Sequence, residues 1–508
     1  QAALYLADLG PAGPGALLRL PEPQALGPLR LVQLEIDAGL PLGGVPRARW
    51  QRRRGILRRA ELQIDEELLS AWLQGPAAQR LRQAGVERLG LRLSPSLCAL
   101  TAQLLLGGRR VWTTARGRLQ GAQGGLLCLH LDAVRVYGFT PVPAALGGLH
   151  LLQALSRELV PPLEITPPLL EAQAFELRCD ALRLLLLLTL PPVGLRLPSL
   201  REVALQEVRL KEGSALLRYE GPGEGRRQRR PSEGPDKLGP GFEPGSLGHG
   251  DRLLGGGEAE AALAIYERLA ASDSISAAPA RLRLMQVLAS MPPRHGEAER
   301  LAIAELARAE RSPVALLVLA AIEAERGQGE RAAARLIALS ELPENTPEEV
   351  AAAALAAAEL VLQKNPKDGV RWLERAAALP GGLPSLRAAE RLGEQYRRAG
   401  QFESLANLEE RQLSMAPPSA RPELVRRYLR LGALYLDELE DRERARAATE
   451  QALRLDEESP GAWELRARLF LGSDGAGGAG QGADLPEALR SLDRAAALSP
   501  PEVGAEIM

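Results

Sequence analysis

The stretch Ser385–Pro417, SLRAAERLGEQYRRAGQFESLANLEERQLSMAP, decides how the C-terminal half of this chain folds. Two runs of helix-forming residues flank Gly400, and a proline ends the second run. The first run carries a small residue at Leu392-Gly393 and an aromatic residue at Tyr396. We therefore expect two antiparallel helices that approach closely at the glycine and end at the proline.

The order and spacing of Leu392-Gly393, Tyr396, Gly400, Phe402 and Pro417 resemble a tetratricopeptide (TPR) repeat, a 34-residue pair of antiparallel helices. The resemblance implies that the pairs stack as an α-solenoid that docks a protein partner. Partner segments of such arrays lie along the face made by the first helix of each pair. The outward positions of these helices in the two best repeats are Arg387, Glu390, Glu394, Arg397, Arg426, Arg427 and Arg430.

The remainder of the C-terminal half, 258–508, reads as further helix pairs, about six in all. A glycine-rich insertion, Gly472–Gly482, splits the last pair, and we expect it to be a disordered loop. Residues 221–257 are rich in Gly and Pro and nearly free of aliphatic residues, which predicts a linker. The predicted organisation is therefore an N-terminal domain over 1–220, a linker over 221–257 and an all-α array.

Residues 1–220 predict an α+β domain, because runs of alternating apolar and polar residues are interrupted by helical segments. Asp65 followed by two acidic residues predicts a helix start. A leucine-striped helix is predicted over about 144–160. The continuous apolar run Leu182–Leu190 is interpreted as a buried strand. Other predicted strands include Leu29–Asp37, Val86–Leu93, Leu97–Leu106, Arg109–Leu119, Leu126–Val136, Ala174–Cys179, Glu202–Leu210 and Ala215–Tyr219.

This order of elements, with LQIDEELLSAWLQG near the start and GFTPVP leading into the leucine-striped helix, resembles bacterial members of the tubular lipid-binding (TULIP) superfamily. The resemblance implies a curved antiparallel sheet around a long helix, with an apolar groove for acyl chains. The expected groove residues are Leu127, Leu129, Leu131, Leu149, Leu152, Leu155 and Leu159. An ordinary α+β domain whose own core uses these leucines is the open alternative.

The sequence carries no motif for catalysis, for a cofactor or for a metal. The four histidines and three cysteines have no metal-ligand spacing, and no phosphate loop, dinucleotide fingerprint or nucleophile elbow occurs. One disulfide among Cys98, Cys128 and Cys179 is left open. Arginines at 47–59 surround Trp50, and four more lie at 226–230; these clusters fit either an anionic membrane surface or solvated loops. We expect no nucleic-acid binding, since no aromatic-decorated strand or reading helix accompanies the arginines.

We therefore predict a noncatalytic protein that binds a lipid or another apolar ligand and docks a protein partner through its TPR array. The alternative is a structural or assembly protein that forms homo-oligomers through its β-domain and helices. An enzyme with a novel site is a further alternative. The Ala, Arg, Gly and Leu bias indicates a bacterial source, and we expect a cell-envelope or periplasmic location, with a cytoplasmic one left open.

Overall fold

The computed structural model describes strands followed by paired helices. The residues it describes are 11–12, 15–19, 23–26, 29–37, 55–75, 77–106, 108–137, 144–158, 170–173, 176–189, 197–200, 202–221, 244–380, 382–416, 421–471 and 485–498. The predicted fold class, an α+β N-terminal region followed by an all-α helical array, is confirmed. The loop predicted at Gly472–Gly482 lies outside the described residues, as do Trp50, the arginines at 47–54 and those at 226–230.

The described strands of the N-terminal region form two antiparallel sheets, where a single curved sheet was expected. The first sheet has the order β1-β2-β4-β5-β13-β12, with β3 also paired to β4, and the second has the order β10-β11-β9-β8-β7-β6. The strands are β1 Pro11–Ala12, β2 Gly15–Arg19, β3 Gln24–Leu26, β4 Leu29–Asp37, β5 Ile56–Asp65, β6 Val86–Ser94, β7 Leu97–Leu106, β8 Arg109–Gly121, β9 Leu127–Tyr137, β10 Leu170–Gln173, β11 Glu176–Cys179, β12 Ala204–Lys211 and β13 Ser214–Glu220.

Four described helices accompany the sheets: α1 Glu66–Gln74, α2 Ala78–Gln83, α3 Ala144–Glu158 and α4 Ala181–Thr189. Asp65 caps α1 as predicted, because its carboxylate accepts hydrogen bonds from the backbone N–H groups of Glu67 and Leu68. Helix α3 occupies the place of the predicted leucine-striped helix. It packs on the second sheet in one core, and α4 packs in the other core, with β4, β5 and β13.

The prediction of a strand at Leu182–Leu190 is wrong, because the chain forms α4 there. Asp180 begins this helix by accepting a hydrogen bond of 3.0 Å from the N–H of Arg183. Leu182, Leu185 and Leu186 are buried, at the spacing of one helical face. A continuous apolar run has no polar positions to mark its period, so a buried strand and a buried helix give the same pattern.

Fourteen α-helices follow in the described part of the chain after residue 243, in seven consecutive pairs. We call the first helix of each pair the A helix and the second the B helix. They are α5 Leu247–Gly255, α6 Ala259–Ala270, α7 Ala277–Ala289, α8 His295–Arg308, α9 Pro313–Glu325, α10 Gly329–Ser340, α11 Pro347–Val361, α12 Pro366–Ala377, α13 Leu383–Arg398, α14 Phe402–Met415, α15 Arg421–Asp437, α16 Arg442–Leu455, α17 Pro460–Leu471 and α18 Leu485–Leu498. The predicted linker reached residue 257, but α5 begins at Leu247. No strand occurs among the described residues of 258–500.

A shared turn between A and B helices marks the repeat. Gly257, Gly327 and Gly400 have φ values of 87°, 74° and 66°, the left-handed region that favours glycine. The residue after each glycine donates its N–H across the turn, at 2.8 or 2.9 Å, to the carbonyl five residues earlier, on Leu253, Glu323 or Tyr396. Glu440 takes the left-handed conformation after α15, with a φ of 54°.

The packing of the backbone divides the chain into two units. The N-terminal unit is Gln1–Gly369 with Gly382–Pro384, so it holds both sheets and the helices α5 to α11. The C-terminal unit is Val370–Gly381 with Ser385–Met508. The boundary between the two units therefore falls inside the helical array and not at the Gly- and Pro-rich segment 221–257.

Candidate partner-binding surface

Two A helices of the C-terminal unit, α13 and α15, have one face committed to packing. The hydroxyl of Tyr396 donates to Oε1 of Glu374 at 2.6 Å, and that of Tyr435 donates to Oε1 of Glu410 at 2.6 Å. Burial, followed by the bond to the carboxylate, raises the pKa of each tyrosine to about 12. Both phenols are therefore neutral donors near pH 7, and they fix which side of each helix faces the interior.

One glycine in each of these helices, Gly393 in α13 and Gly432 in α15, lies on the same committed face. A Cβ at Gly432 would stand 2.7 Å from Cδ2 of Leu465 and 3.4 Å from Oγ1 of Thr449. A Cβ at Gly393 would stand 3.3 Å from Cδ1 of Leu405. The close approach at Gly432 leaves no room for a side chain, so the remaining sides of α15 are the ones that can meet a partner.

The predicted residues of α13 form short ion pairs along its surface. Arg387 donates to Oε2 of Glu390 at 2.9 Å, and Arg391 donates to Oε2 of Glu394 at 3.1 Å, each pair three positions apart. Arg397 is exposed in the last turn. Exposed pairs of this kind contribute only about 0–1 kcal/mol to stability, so the groups can exchange partners easily.

On α15 the predicted arginines surround one carboxylate, Glu423. Arg426, Arg427 and Arg430 approach its oxygens at 2.8, 3.0 and 3.6 Å. The side chains of Arg426 and Arg430 are 69% and 56% exposed, whereas that of Arg427 is 14% exposed and also pairs with Glu409 of α14 at 3.2 Å. Arg427 therefore holds α15 against α14, and the outer two arginines remain open to a partner.

The leucines predicted to line an apolar groove are covered by protein where they are described. Leu129, Leu131, Leu152 and Leu155 belong to one core cluster, with exposures of 9%, 4%, 0% and 3%. Leu127 is also buried, but it belongs to the other cluster. The side chain of Leu149 and the whole of Leu159 lie outside the described residues. The groove therefore stays a prediction.

The remaining candidate residues show no reactive arrangement in the described part of the chain. All three cysteines are free thiols, and burial raises their pKa values, to about 12 for Cys98 and Cys179 and to about 11 for Cys128. Among the described residues no group of three or more His, Cys, Asp or Glu side chains could hold a metal ion. None of the described helices has the length and apolarity needed to cross a membrane.

Sequence reasoning missed a second charged cluster, which lies within the N-terminal unit. Glu348 and Glu349, in the first turn of α11, are buried and meet three arginines of the second sheet: Arg92, Arg116 and Arg135. The segment Thr346–Glu349, TPEE, has the residues of a capping box and so could have predicted the start of this helix. Nothing in the sequence indicates that this helix start meets a sheet more than 200 residues earlier in the chain.

No protein-family model matches the chain, and no curated protein matches it. A tetratricopeptide repeat protein from Parabacteroides merdae is similar over 51% of this chain and 95% of its own chain, at 16% identity and a TM-score of 0.26. The APC/C hetero-tetramer Cut9–Hcn1 is similar over 51% of this chain and 47% of its own, at 18% identity and a TM-score of 0.24. At these TM-scores the likeness carries no argument about function, and the TULIP resemblance gains no support.

Proposed function

We propose that this chain is a noncatalytic interaction protein that docks a protein partner on the A helices of its C-terminal unit. The observation that carries the proposal is the pair of exposed arginines, Arg426 and Arg430, held beside Glu423 on a helix whose opposite side is committed to packing. Charged groups that contribute little to the stability of their own fold are suited to recognition.

The alternation of charge along these helices favours a polar, extended segment as the partner. Arg387, Glu390, Glu394 and Arg397 present both signs along α13, and only Leu386 adds an exposed apolar side chain, at 37%. An amphipathic helix would need an apolar groove instead. The partner that fits carries carboxylates to meet the arginines of α15.

The test compares two double variants with the same change in charge. Arg426→Glu with Arg430→Glu reverses the proposed surface, and Arg442→Glu with Arg446→Glu makes the same change on exposed positions of the B helix α16. A photo-crosslinking residue at Glu390 would capture the partner in cells of the native host. We expect the crosslinked product to be lost in the first variant and kept in the second, with both melting within a few degrees of the parent. Equal crosslinking in both variants would refute the proposed docking face.

Binding of a lipid or another apolar ligand by the N-terminal region is a separate proposal. It rests on the apolar strand faces and on α3, whose described leucines are covered by neighbouring side chains. The docking proposal does not depend on it.

A further inference from the structure

The second sheet has an outer face that carries three arginines in register. Arg92 on β6 lies opposite Ala99 on β7, and Ala99 lies opposite Arg116 on β8, so the two arginines are neighbours across one strand. Arg135 on β9 pairs with Thr114, two residues before Arg116. Since residues two apart on a strand point to the same side, all three arginines emerge from one face. This face packs against the A helices α9 and α11 of the same unit.

These arginines meet the first turn of α11 directly. Arg92 donates to Oε1 of Glu348 at 2.7 Å. Arg116 donates to both carboxylate oxygens of Glu349 and to the carbonyl of Glu344, the last at 2.6 Å. Arg135 lies 3.5 Å from the same carboxylate and donates to Oδ1 of Asn345. The contact therefore joins three strands to one helix start.

The surroundings of these charges are buried and polar. Glu348 and Glu349 are 4% and 3% exposed, and the threonines of the same sheet face, Thr101 and Thr114, are 4% and 3% exposed. Ionised carboxylates out of water are costly unless they are paired, and removing one partner leaves an uncompensated charge. The sheet and the helix are therefore complementary in charge, as in a binding interface between two proteins, and the contact is not a purely apolar core.

The helix surface that the sheet covers and the exposed surface of α13 and α15 both belong to A helices. Helices α9 and α11 are A helices, like α13 and α15, but here the A-helix side meets β8 and β9. We infer that the A-helix surface of α9 and α11 is a protein-binding surface already occupied, within the same chain, by the arginine-bearing face of the second sheet. A partner for this surface must displace the sheet and present guanidinium groups to Glu348 and Glu349.

The test is a double-mutant cycle on the full chain, with Arg116→Gln, Glu349→Gln and the combination. The glutamine at position 349 keeps an acceptor oxygen for the N–H of Thr346, which the glutamate now bonds at 2.9 Å. Hydrogen exchange of the β8 and α11 amides is the measurement. We expect each single variant to raise exchange at least tenfold on both surfaces. The double variant should change by less than the product of the two, because neither member of the Arg116–Glu349 pair is then left charged without the other.

The matched control is Arg110→Gln, on the same strand but 67% exposed and paired with Glu87, which should leave exchange unchanged. The inference would be overturned if the double variant raised the exchange rate by the full product of the two single effects. It would also be overturned if the amides stayed protected in both single variants. An equal rise in α15 and α16 would overturn it as well, since the contact would then be an inseparable part of the fold. If Arg116→Gln does not fold, the cycle of Arg92→Gln with Glu348→Gln tests the same contact and must show the same coupling.

Discussion

Helices α11 and α15 begin alike and differ in what covers them. Helix α11 begins with Pro347-Glu348, and α15 has Pro422-Glu423 directly after its first residue. The positions four, five and eight residues after the proline are Ala351, Ala352 and Leu355 in α11, and all three are 0% exposed. In α15 the same positions are Arg426, Arg427 and Arg430. The side chains of Arg426 and Arg430 are 69% and 56% exposed, and that of Arg427, which pairs with Glu409 of α14, is 14% exposed. Apolar residues thus occupy these positions where the chain covers the A helix, and arginines occupy them where the helix faces solvent.

Exchanging residues between the two helices should give the largest effect. Ala351→Arg would place a long charged side chain at a fully buried position, and we expect a loss of about 3 kcal/mol or more from overpacking and an unpaired charge. The reverse change, Arg426→Ala, should stay within about 0.5 kcal/mol. Urea unfolding followed by circular dichroism measures both. Equal losses would mean that the two sides are covered to the same extent.

A second comparison asks whether the N-terminal core is filled by its own side chains or leaves space for a ligand. Leu152→Trp should cost about 1–3 kcal/mol if the leucines of α3 are packed at normal density. If an acyl-sized space lies beside them, the variant should keep its stability and lose a ligand that co-purifies with the parent. Native mass spectrometry and thermal melts separate the two results, with Leu129→Met as a volume-conserving control.

The turns of the array provide a smaller and cleaner comparison within the C-terminal unit. A Cβ at Gly400 would meet nothing within 4 Å, so Gly400→Ala should cost about 1 kcal/mol through its left-handed backbone alone. Glu440→Gly removes the same strain and should gain about 0.5–1 kcal/mol, less the added chain entropy of glycine. Thermal melts of both variants would show shifts of opposite sign. Shifts of the same sign would contradict a left-handed backbone at one of the two positions.

The smallest predicted effect concerns a covered acid of the first sheet. The hydrogen bond from Arg59, together with that from Arg218, lowers the pKa of Glu61 in the folded chain. A folded pKa below the unfolded one gives stability that is present above about pH 4.5 and is lost as pH falls through the folded value. Melts between about pH 6 and 3.5 should therefore drop less steeply for Glu61→Gln than for the parent. An unchanged slope would show that the pairing of Glu61 with Arg59 and Arg218 does not contribute to stability in this pH range.

The local features of the sequence predicted local structure well. Asp65 predicted the start of α1, and Leu392-Gly393 with Tyr396 predicted the closely packed pair α13 and α14. The sequence failed where the deciding contacts are distant. Leu182–Leu190 has no internal period, so only its packing against β4, β5 and β13 distinguishes α4 from a strand. The ion pairs of Glu349 with Arg116 and Arg135 join residues more than 200 positions apart, and no local pattern encodes them.

Trp112 gives the molecule an optical signal of its own. Its indole is 3% exposed, lies two residues before Thr114 on the outer side of β8, and its N–H has no hydrogen-bond partner among the described residues. A buried indole emits at a shorter wavelength than one in water, and the emission moves to the red when water reaches the ring. Separation of the sheet from α9 and α11 would therefore change the colour of the protein's intrinsic fluorescence, without any added dye.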